Sequence, residues 1–144
     1  MKLRIYVKAQ ALLGLLAGVG DSNKPLGWGM HDDVKHSVFL GTVAGKPRYS
    51  SNNQGVALNI KPKQGETGGV NCRIYVKQQE LFALLEGKGD LKKPVGWAYI
   101  NDKDHVVWLA TTDDGDIIFS SNGDGVALNV RLSNNQRSEE KKQA

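Results

Sequence analysis

The chain has 144 residues, 40% hydrophobic and 24% charged, a globular composition that excludes a fibrous or wholly disordered protein. No stretch approaches the ~20 consecutive apolar residues of a membrane-spanning helix, and no apolar signal-peptide core follows the N-terminus, so a cytoplasmic protein without membrane contact is expected. The net charge of +4 favours an acidic partner only weakly, and the lone Cys72 leaves no internal disulfide to form, so a buried thiol is expected there.

An internal repeat organises everything else. RIYVK from Arg4 recurs from Arg73, about 70 residues on, and the match continues through Gly-x-Gly-Asp (Gly18, Gly87), Lys-Pro-x-Gly-Trp (Lys24, Lys93), Ser-Ser-Asn (Ser50, Ser120) and Gly-Val-Ala-Leu-Asn (Gly55, Gly125). In chain order, LRIYV alternates Leu3, Ile5 and Val7 against Arg4 and Tyr6, as a half-buried strand does. A short helix follows, with an apolar stripe of Leu12, Leu13, Leu15 and Leu16, or Leu81, Phe82, Leu84 and Leu85, ending at Gly18 or Gly87. The Pro25 and Pro94 loops lead into strands around Trp28 and Trp97. DDVKH and NDKDH read as turns before the strands SVFLGTV and VVWLATT. Further turns at 44–47 and 113–116 precede short strands at Tyr49 and Phe119, and GVALNIK or GVALNVR closes each unit.

The expected fold class is α+β: a tandem duplication of a β-α-β-β-β(-β) unit, each copy carrying one short helix on an antiparallel or mixed sheet. A unit of ~60 residues has a marginal core alone, so the halves are expected to pack as a pseudo-two-fold dimer. The boundaries are 1–63 for the first unit, 64–71 for a Gly-rich linker, 72–132 for the second unit, and 133–144 for a polar tail expected to be disordered. The units differ in charge. The first has nine Lys/Arg against three Asp/Glu, the second seven against nine, so head-to-tail self-association is a further expectation.

Strand alternation also supplies the candidate site. Residues opposite the apolar positions form one polar-aromatic sheet face per copy: Arg4, Tyr6, Lys8, Phe39, Asn59 and Lys61 in the first, Arg73, Tyr75, Lys77, Trp108, Asn129 and Arg131 in the second. Cations neutralise phosphates and flat rings stack on unpaired bases, so the expected partner is single-stranded DNA or RNA bound with little sequence specificity. The alternatives are a protein-interaction module (inhibitor, regulator or assembly subunit) and, from the paired Trp28 and Trp97, a bivalent carbohydrate-binding protein. His31, Asp32, Asp33 and His36 become Ile100, Asn101, Asp102 and His105 in the second unit. One retained carboxylate and one retained imidazole do not make a metal site, so a turn-capping Asp and a surface His are expected instead. Gly18 and Gly20 end a helix rather than open one, unlike a phosphate-binding loop. No nucleophile, base and acid come together, so neither enzymatic activity nor a cofactor is expected.

Overall fold

The structure, a computed structural model, describes residues 3–133. From residue 134 onward the tail lies outside the described residues. Its elements are, in chain order, β1 (Leu3–Val7), α1 (Ala9–Leu16), β2 (Gly27–His31), β3 (Val34–Leu40), β4 (Thr42–Val43), β5 (Lys46–Pro47), β6 (Val56–Pro62), β7 (Cys72–Val76), α2 (Gln78–Leu85), β8 (Gly96–Ile100), β9 (Lys103–Leu109) and β10 (Val126–Leu132).

Eight strands form one closed antiparallel barrel in the order β1-β2-β3-β6-β7-β8-β9-β10, with β10 returning to β1, while β4 and β5 make a small separate hairpin. This corrects the α+β expectation. Neither repeat has a sheet of its own, and the halves are not two packed bodies. Each repeat contributes four adjacent strands to a single sheet that curls until its edges meet. The joins are β6 with β7 (Asn59 opposite Arg73) and β10 with β1 (Asn129 opposite Arg4). Separate four-stranded sheets would each leave two edges of unpaired backbone, and closure removes them all.

The helices do not cover a sheet face either. Strand directions alternate around the barrel, and α1 and α2 follow β1 and β7, which run the same way; both helices therefore lie at one end of the barrel. Leu12 of α1 and Leu81 and Leu84 of α2 join the core there. Each helix stops at a glycine with positive φ, +85° at Gly18 and +87° at Gly87, and the next N–H bonds back to Gly14 or Ala83 (both 2.8 Å).

Alternation assigns the barrel interior to Leu3, Ile5 and Val7, Val56, Leu58 and Ile60, Ile74 and Val76, and Val126, Leu128 and Val130, all buried. The outward positions are largely polar, the reverse of a barrel that faces lipid. No helix among the described residues is long and apolar enough to cross a membrane. Cys72 is partly buried, and desolvation raises its thiol pKa to about 11.

Two local features differ from the sequence expectation. DDVKH and NDKDH contract to two-residue tips, Asp32-Asp33 and Asn101-Asp102, all four with φ between 49° and 64°, as in a type I′ hairpin. The residues after them extend β3 and β9, so His36 and His105 fall on the inward side and are only 2% exposed, rather than being surface histidines. The GTV segment does not continue β3, which ends at Leu40.

Close approach of β1 to β2 and of β7 to β8 depends on glycine. A Cβ on Gly27 would sit 2.1 Å from the Tyr6 carbonyl oxygen, and one on Gly96 2.1 Å from that of Tyr75. Because the obstacle is backbone, neither site can relax by a rotamer change. Gly27→Ala and Gly96→Ala should each therefore cost about 3 kcal/mol or more in urea denaturation; an unchanged midpoint in both variants would show that the strands separate freely.

Candidate nucleic-acid interface

Closure rearranges the candidate residues. Arg4, Tyr6 and Lys8 do not share a surface with Phe39, Asn59 and Lys61 of their own repeat, because β1 is flanked by β2 and β10 while β6 is flanked by β3 and β7. Each surface is instead composite. At the β6–β7 join, Phe39 lies opposite Asn59, and Asn59 opposite Arg73. At the β10–β1 join, Trp108 lies opposite Asn129, and Asn129 opposite Arg4. The barrel therefore carries two equivalent rows of aromatic, amide and guanidinium, four strands apart. In each, the arginine Nε–H donates to the asparagine Oδ1, at 2.8 Å from Arg73 to Asn59 and 2.9 Å from Arg4 to Asn129. That bond uses one of five guanidinium N–H donors and fixes the plane of the rest.

All twelve predicted residues lie on the outer surface. Arg4, Lys8, Lys61 and Arg131 are exposed, while Tyr6, Phe39, Asn59, Arg73, Tyr75, Lys77, Trp108 and Asn129 are half-buried. Sequence reasoning missed their main companions. Tyr6 stacks on Trp28 with ring centroids 5.5 Å apart and planes at 20°, and Tyr75 stacks on Trp97 at 5.5 Å and 19°. The alternation Gly-Trp-Gly and Gly-Trp-Ala held the signal, since small residues facing in place the indole outside.

The repeated Gly-Val-Ala-Leu-Asn now reads residue by residue. A Cβ on Gly55 would lie 2.9 Å from the Trp97 ring and one on Gly125 3.1 Å from that of Trp28, so the glycines make room for the indoles. The valine and leucine face the core. Ala57 and Ala127 pair with Tyr75 and Tyr6 and, although on the outward side, are fully buried. The asparagine accepts from the arginine.

Beyond Leu40, β3 no longer borders β6, and the chain returns as Arg48 and Tyr49: Ala57 N–H donates to the Arg48 carbonyl at 2.8 Å, and Tyr49 bridges to Val56. This return forms one wall of a groove of about 680 Å³ lined by Arg48, Tyr49, Ser50, Ser51, Asn52, Tyr75 and Trp97. Tyr49 is 39% exposed. The equivalent return on the other side presents Ile118 and Phe119 near Tyr6 and Trp28, with apolar Ile118 in place of Arg48. The groove at the β6–β7 join is thus the more basic, with Arg48 in its lining and Arg73 at the next outward position of β7 from Tyr75. Asp21 and Asp90 tie down their own turns, accepting from the Asn23 and Lys92 N–H groups at 2.9 Å. Ser50 and Ser120 likewise tie down their own loops through Asn52 and Asn122.

The sequence matches no known family model, and no curated protein or solved structure matches it either.

The inward histidines form no metal centre. Among the described residues no group of three or more His, Cys, Asp or Glu side chains could hold a metal ion. His36 Nδ1 contacts the Val34 carbonyl (2.9 Å), and its Nε2 accepts from the Val70 N–H (3.2 Å) of the segment joining the repeats. His105 makes the matching Nδ1 contact to the Lys103 carbonyl (3.0 Å), but its buried Nε2 has no partner among the described residues. Burial therefore lowers the His105 pKa below the ordinary value, partly offset by the Lys103 carbonyl. A base whose folded pKa is depressed contributes stability that is present above the unfolded value of about 6.5 and lost as pH falls through the folded value. Thermal melts from pH 7.5 to 5 should show a falling midpoint below about pH 6.5, and His105→Gln should flatten that slope; an identical slope in the variant would assign the loss to other groups.

Proposed function

We propose that this protein is a cytoplasmic binding protein, not an enzyme, that holds single-stranded DNA or RNA against its barrel surface with little sequence specificity. The observation that carries this reading is the groove at the β6–β7 join. There the stacked Tyr75–Trp97 pair and the exposed Tyr49 ring lie beside Arg48 and the anchored Arg73, with no carboxylate among the groove-lining residues. Stacked rings at a surface offer a flat platform that any base can extend, and neighbouring cations meet the phosphates between bases. The anchored guanidinium costs less ordering on binding than a loose lysine does. The β10–β1 side, with Phe119, Tyr6, Trp28 and Trp108 but Ile118 in place of Arg48, is the weaker copy of the same surface.

Barrel order also supports the head-to-tail contact between molecules. The four strands of the basic repeat are contiguous, as are those of the acidic repeat, so the two charge excesses fall on opposite sides of one body.

Fluorescence anisotropy with labelled oligonucleotides tests the reading. Tyr49→Ala should weaken single-strand binding by about 1–3 kcal/mol, and Phe119→Ala by less. Lys61→Ala should weaken it evenly across sequences and lower the slope of log affinity against log salt by about 1. Absence of single-strand binding at low salt would overturn the reading, and salt-insensitive binding of an uncharged glycan would replace it with the carbohydrate one.

A further inference from the structure

A second pocket lies on the outer surface of β2 and β3, at the centre of the basic half of the barrel. It encloses about 390 Å³ and is lined by Lys8, Pro25, Gly27, Trp28, Gly29, Met30, Lys35, His36, Ser37 and Lys63. Tyr6, which covers one side of the Trp28 indole, does not line it, so Trp28 serves two sites from its two sides. Trp28 and Met30 give the pocket an apolar platform, and Lys8, Lys35 and Lys63 give it three cations. No carboxylate lines it; Asp32 and Asp33 belong to the hairpin tip.

The other repeat provides an internal comparison. The Lys63 N–H donates to the Lys35 carbonyl at 2.9 Å, and at the equivalent place the Ser133 N–H donates to the Asp104 carbonyl at 3.0 Å. Ser37 and Val106 likewise lie opposite Trp28 and Trp97. On one backbone framework, then, the first repeat places lysine, lysine and serine where the second places aspartate, serine and valine. Lys8 and Lys77 are the cation common to both. Part of the first repeat's excess charge is therefore at this pocket.

We propose that the pocket binds a nucleotide through a terminal phosphate, with the base lying on Trp28 and Met30 and the phosphate held by Lys8, Lys35, Lys63 and the Ser37 hydroxyl. A phosphomonoester carries nearly two negative charges at neutral pH, more than any phosphodiester within a strand, and three lysines lining one pocket without a carboxylate favour it accordingly. The same chemistry occurs in a free nucleoside monophosphate and at the phosphorylated end of a strand. The site is separate from the groove at the β6–β7 join and stands whether or not that groove binds a strand.

The test is titration of the full chain with adenosine monophosphate, followed by calorimetry and by the Trp28 indole resonance. Adenosine and inorganic phosphate should each bind at least about tenfold more weakly, and Lys35→Asp should weaken the monophosphate by about tenfold, whereas Lys92→Asp, an equal charge change elsewhere, should leave it within about twofold. Equal losses in the two lysine variants, equal binding of adenosine, resonance shifts that bypass Trp28, or no binding at millimolar monophosphate would each overturn the site. A strand that binds better with a 5′-phosphate than with a 5′-hydroxyl, a preference lost in Lys35→Asp, identifies the strand end as the source; equal affinities beside tight monophosphate binding identify the free nucleotide. Arg48→Glu separates this site from the groove, because it should weaken the hydroxyl-ended strand and leave the monophosphate unchanged.

Discussion

Pairing of the first strand with the last is the constraint from which the rest of the molecule follows. Leu3 to Val7 run antiparallel to Val126 to Val130, and that single ladder converts a curled eight-stranded sheet into a barrel. Once it forms, every alternate side chain has a fixed fate. Leu3, Ile5 and Val7 meet Leu128 and Val130 inside, while Arg4 meets Asn129 outside. Closure also fixes which residues become surface neighbours, and it selects partners from opposite repeats at both joins. Without the β1–β10 ladder, Arg4 would have no asparagine and Asn129 no arginine.

A repeated framework makes departures from repetition informative. The aromatic stacks, the arginine–asparagine bonds and the hairpin tips recur with nearly the same geometry, so the framework accounts for them twice over. What differs is charge: Arg48 against Ile118, Lys35 against Asp104, Lys63 against Ser133. None of these residues faces the core, and exposed charges of this kind contribute little to stability. Their cost or benefit lies in what approaches the surface. Both proposed sites are on the more basic member of an equivalent pair for that reason.

Much of the local structure was legible in the sequence, because it rests on periodicity and turn chemistry. The alternation of LRIYV and GVALN, the leucine stripes and the terminal glycines of the helices are all local signals. Closure is not a local signal. Four strands that can form a sheet look the same whether the sheet stops or continues into the next repeat, and nothing in RIYVK states that its partner is 125 residues away in GVALN. Assigning the helices to a sheet face followed from that gap, as did grouping Arg4 with Phe39. The histidines were misplaced for a smaller reason: the polar residues of DDVKH mask a two-residue turn, and alternation restarts at Val34 rather than Val38. Tyr6 and Tyr75 could be placed outside from their own strands, but their tryptophan partners depend on the register across β1–β2 and β7–β8, which is set by tertiary contact.

The two joins of the barrel have a consequence for the order of its strands along the chain. At one join β6 runs into β7 through a nine-residue segment, Lys63 to Asn71; at the other, β10 and β1 are equally close neighbours but belong to opposite ends of the fold. The sheet does not distinguish the covalent join from the open one, since both carry the same ladder and the same surface bond. The strand ladders are therefore indifferent to which join carries the connection, although the Val70 N–H that reaches His36 Nε2 belongs to the covalent one. A circularly permuted chain that begins at Cys72, runs through β10 into β1 by a short connection and finishes at Pro62 has the same neighbours at every strand, and the same barrel.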